Sequence, residues 1–109
     1  MKVDDILKLV SDETGISIED ICLPDYIHGS SKAEVVAARK LTAVLLSKYA
    51  TRPVYDKKLT QAEIGNIINR NRSMVSIVVM EGEYYLETNS HYRRKFEEIE
   101  NKLKSLFIK

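Results

Sequence analysis

Thr60-Gln61-Ala62-Glu63 carries the strongest local constraint in this 109-residue chain. A threonine hydroxyl at that spacing accepts from the N–H of Glu63, and the glutamate reaches back to the N–H of Thr60. That reciprocal pair starts a helix, and Leu59 and Ile64 occupy the two positions of the accompanying hydrophobic staple. The helix continues through Ile67 and Ile68 and breaks at Asn69-Arg70-Asn71. Asn71 is a good N-cap for the next segment. Val75-Ser76-Ile77-Val78-Val79-Met80 has the β-branched composition of a strand. Val75, Val78, Val79 and Gly82 nevertheless repeat at helical spacing, which predicts a second helix, with small Gly82 where it crosses a neighbour closely.

The rest of the chain reads the same way. Ile6, Leu9 and Val10 share a helical face, and Gly15 sits where a left-handed C-terminal residue belongs. Ile16 to Ile21 forms a short second turn with Ser17 as N-cap. Pro24 and His28-Gly29-Ser30-Ser31 mark a loop. Lys32 to Ala50 is the longest clean helical stretch. Val35, Ala38, Thr42, Leu45, Leu46 and Tyr49 form its inward stripe, with Lys32, Arg39, Lys40 and Lys48 largely outside it. Arg52-Pro53 ends it. Asn89-Ser90 separates a last helix, whose seam is Tyr92, Phe96, Ile99, Leu103 and Leu106/Phe107. The expectation is one all-α domain over residues 1–109, of about six helices and no sheet.

Composition excludes several functions. Four isolated glycines, at 15, 29, 65 and 82, leave no phosphate loop or dinucleotide fingerprint, so no nucleotide is expected. One cysteine, Cys22, excludes a disulfide framework within the chain and a four-cysteine zinc site. His28 and His91 lack paired acids at ligand spacing, so neither a metal nor a cofactor is expected, and no catalytic constellation appears. Cys22, between Ile21 and Leu23, reads as a small buried hydrophobe. No apolar run reaches membrane length and the opening is too acidic for a signal peptide, which predicts a cytoplasmic protein.

The net charge is only +1, but residues 1–27 are acidic whereas Lys and Arg concentrate in residues 28–80. That asymmetry suits an anion such as nucleic acid. It equally suits long helices with solvated cations. Arg93-Arg94-Lys95, beside Glu97, Glu98 and Glu100, reads as a self-paired surface, and Tyr84-Tyr85 as core and rim packing.

Two short helices joined by Asn69-Arg70-Asn71 have the layout of a helix-turn-helix, in which the first turn of the second helix enters the major groove. Such a turn needs short polar or cationic side chains that reach base edges. Arg70, Asn71, Arg72 and Ser73 supply them, and Met74 or Ile77 can touch a thymine methyl. A plain helical hairpin with a polar turn fits the same pattern.

The run Gln61-Ala62-Glu63-Ile64-Gly65 through Asn71-Arg72-Ser73-Met74-Val75 resembles the signature of the C-terminal DNA-binding domain of the bacterial replication initiator DnaA. Ala38-Arg39-Lys40-Leu41 lies where that family begins its long basic-loop helix. The likeness spans nearly the whole chain, with a short insertion near 52–57. It implies double-stranded DNA as partner, nucleoid association, and a role in replication initiation or its regulation. It places Arg70 at the family's arginine, Asn71 at its base-reading aspartate and Ser73 at its first threonine. Arg39 takes the basic-loop arginine. The DNA-contacting set this implies is Arg39, Lys40, Thr60, Gln61, Arg70, Asn71, Arg72, Ser73 and Met74. Arg72 replaces the family's histidine, Met74 its second threonine, and Ala37 an arginine that would reach the minor groove. Altered base readers imply a site other than the family's usual box. The competing expectation is a protein-interaction module that kept the fold and lost DNA binding.

Overall fold

The computed structural model describes residues 2–52 and 57–107. Six helices follow one another: α1 (Val3–Thr14), α2 (Ile18–Ile21), α3 (Ala33–Tyr49), α4 (Gln61–Ile68), α5 (Arg72–Thr88) and α6 (Ser90–Phe107). Among the described residues the one β feature is an isolated bridge between Thr51 and Lys58. No helix among them is long and apolar enough to cross a membrane.

The helix boundaries follow from local chemistry. Gly15 takes the left-handed conformation, φ 74°, and its N–H closes α1 onto Ser11. Ser17 caps α2 by accepting from the Asp20 N–H. Thr60 and Glu63 form the reciprocal box at α4, and Asn71 caps α5 by accepting from the Met74 N–H. Asn89 Oδ1 accepts from the Tyr92 N–H at the start of α6. Helix α3 ends at Tyr49, with Ala50 already extended. The stop expected at Pro53, and most of the insertion expected near 52–57, lie outside the described residues.

All five other helices pack on α3. Its segment from Ala38 to Leu46 is buried all round, the pattern of a helix at the centre of a core rather than at its edge. Ile6, Val10, Ile21, Ile68, Val75, Ile99 and Leu103 converge on it. Each such side chain contributes about 1.5–3 kcal/mol by leaving water. Tyr92, Phe96, Ile99 and Leu103 form the buried seam of α6, but Leu106 is exposed.

Two expectations for α3 are corrected. Arg39 and Lys40 do not lie outside the inward stripe: they are 4% and 7% exposed. Arg39 is held inside because backbone carbonyls surround its guanidinium, and Lys40 because its stem lies along the core and its head along a tyrosine ring.

Candidate nucleic-acid interface

Helices α4 and α5 meet through Asn69-Arg70-Asn71. Asn69 is left-handed at φ 57°, an orientation asparagine tolerates well. The N–H groups of Asn69 and Arg70 both donate to the Gly65 carbonyl. Gly65 also makes the turn tight, since a Cβ there would fall inside van der Waals contact of the Arg70 carbonyl oxygen. The turn is therefore a fixed joint between two helices, with Ile64, Ile68 and Val75 buried behind it.

At the outer side of this joint, Thr60, Gln61, Asn71, Arg72, Ser73 and Met74 are exposed. Gln61 Oε1 accepts from Ser76 Oγ at 3.0 Å, so the start of α4 lies beside the second turn of α5. At about 100° per residue, Arg72, Ser73 and Ser76 fall on the Gln61 side of α5, whereas Met74 falls on the opposite edge. Thr60 holds the helix start: its hydroxyl accepts from the Glu63 N–H at 3.2 Å, and its N–H donates to Glu63 Oε1 at 3.0 Å. Arg52 completes this corner by donating twice to Glu63 Oε1, at 2.7 and 3.0 Å. The Arg52 hydrogen bond first, then the Thr60 N–H, holds the Glu63 carboxyl down to about 2.

Asn71 is engaged as a cap. Its Oδ1 accepts from the Met74 N–H at 2.9 Å and from Ser73 Oγ at 2.8 Å. Bidentate reading of adenine needs that same oxygen as acceptor. The cap and the base contact compete for one atom.

Three expected contact residues, Arg39, Lys40 and Arg70, are turned inward. Arg39 Nε donates to the Ile21 carbonyl at 2.8 Å and Nη1 to that of Ser30 at 3.0 Å. Arg70 Nη1 donates to the carbonyls of Leu23 and Asn69, each at 2.8 Å. Asn69 Nδ2 donates to the Cys22 carbonyl. Arg39, Asn69 and Arg70 thus satisfy consecutive carbonyls at the C-terminal end of α2, where a helix leaves its acceptors unpaired. Burial first, then the neighbouring Arg70 charge, lowers the Arg39 pKa. Lys40 lies 4.3 Å over the Tyr85 ring and 3.9 Å from Glu81. Nothing in the local sequence announces these partners. One signal does exist for Arg39: it follows Val35 by four residues and precedes Leu46 by seven, on the buried face.

The basic segment is consequently less available than its charge suggests. Arg52 is paired with Glu63, and Lys48 lies 3.6 Å from Glu100. Lys57, Lys58 and Arg72 are exposed and form no ion pair among the described residues. Ala37, which the resemblance sets at a minor-groove arginine, lines a cleft of about 400 Å³ together with Glu13, Glu34, Tyr85, Tyr92 and Lys95. Glu13 is engaged by Lys102. Cys22 is half-buried, and burial pushes its thiol pKa up, the behaviour of a packing residue rather than a nucleophile. Among the described residues no three His, Cys, Asp or Glu side chains gather to hold a metal ion.

The chain matches no family model, no curated protein and no solved structure.

Proposed function

We propose that this domain binds double-stranded DNA through the joint between α4 and α5, as a DnaA-like helix-turn-helix with altered base readers. The observation that supports this reading most is the placement of Gln61 against Ser76, with Arg72 and Ser73 exposed at the first turn of α5. That arrangement offers one guanidinium for a guanine edge and two short polar side chains beside it. Lys57 and Lys58, shortly before the α4 cap, supply phosphate contacts. Arg39, Lys40 and Arg70 support the fold instead of touching DNA.

Fluorescence anisotropy with a selected duplex, over a series of salt concentrations, tests this. Two lysine phosphate contacts give a log–log salt slope of about −2, much shallower than the whole basic segment would give. Arg72→Ala lowers affinity by about 1–3 kcal/mol and relaxes preference at one position. Absence of duplex binding at low salt overturns the proposal.

A second reading, a protein-interaction module, is favoured by one feature: Met74, Ile77, Met80 and Tyr84 are all exposed along α5.

A further inference from the structure

Four of the large exposed apolar side chains belong to α5, and Met80 and Tyr84 are 63% and 61% exposed. At about 100° per residue, Ser73, Ile77, Met80 and Tyr84 form one outward row, facing away from buried Val75, Val78 and Gly82. Scattered exposed hydrophobics are ordinary, but a continuous row on one helix marks a contact surface.

The charges beside that row identify its occupant. Arg72, Glu83 and Glu87 lie on one flank, are exposed, and form no ion pair among the described residues. Arg72 stands at one end of α5 and Glu87 at the other, roughly 22 Å apart along the axis. They cannot neutralise each other within one chain. A second α5 laid antiparallel about a two-fold axis through Met80 brings the same flanks together. Each Arg72 then faces the partner copy's Glu87, with the partner copy's Glu83 further along the same flank, and both Met80 side chains meet at the axis. Met80 is also the central residue of Arg72–Thr88, so the two helices overlap along their full length. Duplex DNA would meet the two free glutamates at this end of the row, which disfavours it as occupant.

We infer that α5 pairs antiparallel with α5 of a second copy of this chain, burying Ile77, Met80 and Tyr84. One helix face is a small interface, at or below about 1,200 Å² in total, so the pairing is weak and reversible. The pairing requires no nucleic acid, and because it engages the same Arg72, dimer and duplex would compete for the first turn of α5.

Sedimentation equilibrium of the whole chain at low salt, from low to high micromolar concentration, provides the test. The wild type shows a monomer–dimer equilibrium. Met80→Glu, which sets two carboxylates against each other at the axis, weakens it at least about tenfold. Arg72→Glu and Glu87→Arg each weaken self-association by about tenfold, because both create like-charge pairs twice over. Mixing the two single variants restores dimerisation as a heterodimer, since both 72–87 pairs are again opposite. Circular dichroism of each variant confirms the helical fold. A wild type that stays monomeric at the highest concentration overturns the inference. A dimer indifferent to Met80→Glu, or two single variants that fail to associate when mixed, overturns it as well.

Discussion

The Arg39 Nε–H donates to the Ile21 carbonyl at 2.8 Å, across a separation of eighteen residues. That bond ties the middle of the central helix to the end of the shortest one. A four-residue helix such as α2 cannot persist alone. It is held by Ser17 at its start and by the guanidinium at its end, with Asn69 and Arg70 closing the next carbonyls along the chain. A cation that reads as a ligand for phosphate is an internal fastener.

Arg39→Ala accordingly destabilises the fold by about 2–4 kcal/mol, because two carbonyls lose a buried charged donor. Arg39→Lys recovers only part of this, since one ammonium does not reproduce the planar fork. Urea denaturation of both variants measures the effect. Their duplex affinity, corrected for the folded fraction, is unchanged.

The α4 corner has a pH signature. Glu63 is held at about 2 in the folded chain against an ordinary 4.5, so its contribution is complete above the ordinary value. As pH falls from there through about 2, the folded state gives up that contribution. Glu63→Gln flattens the stability profile over this window and leaves it parallel to wild type at neutral pH. Thr60→Ala lowers stability by about 1 kcal/mol through loss of the cap. Melting temperatures across an acid series check both.

Tyr92 offers a stabilising change. Among the described residues its hydroxyl is buried without a hydrogen-bond partner, wedged beside Gly82. Tyr92→Phe removes an unpaired polar atom and raises stability by about 1 kcal/mol. Chemical denaturation reads the shift in midpoint at constant slope.

Alkaline pH acts through Tyr49. Burial, then its hydrogen bond to Glu100, pushes the phenol up to about 12 from 10.0. A raised value means that its contribution is intact below 10.0 and declines as pH climbs through about 12. Tyr49→Phe removes that decline, which a stability series between neutral and alkaline pH detects.

Much of this architecture was legible because it is local. The capping box at Thr60, the caps at Ser17 and Asn71, and the left-handed Gly15 each depend on neighbours within four residues. The helical nature of Val75–Met80 was legible from spacing against propensity. What escaped was the direction of the cations. The carbonyls that draw Arg39 inward belong to residues 20, 21 and 30, and the ring beneath Lys40 belongs to Tyr85. No window along α3 contains those partners. The spacing of Arg39 sets it in a buried register while its charge points to solvent, and in the fold the register prevails. Asn71 posed a different difficulty: capping and base reading ask for the same side chain, and geometry alone shows its oxygen engaged.

The absent methyl at residue 82 governs more than a close approach. A Cβ there would stand 2.6 Å from Val44 Cγ2 and 3.2 Å from the Lys40 carbonyl oxygen, so α5 is keyed to α3 at one angle about its own axis. Rolling by even a fraction of a turn would drive Val78 or Val79 toward the slot that only glycine fits. The outward row is therefore displayed at a set bearing, and Arg72, nearly three turns away, inherits that bearing through a stiff rod. Gly82→Ala would act as a change of aim. Its cost of about 1–3 kcal/mol in overpacking would come with a re-pointing of every side chain that α5 presents to a partner.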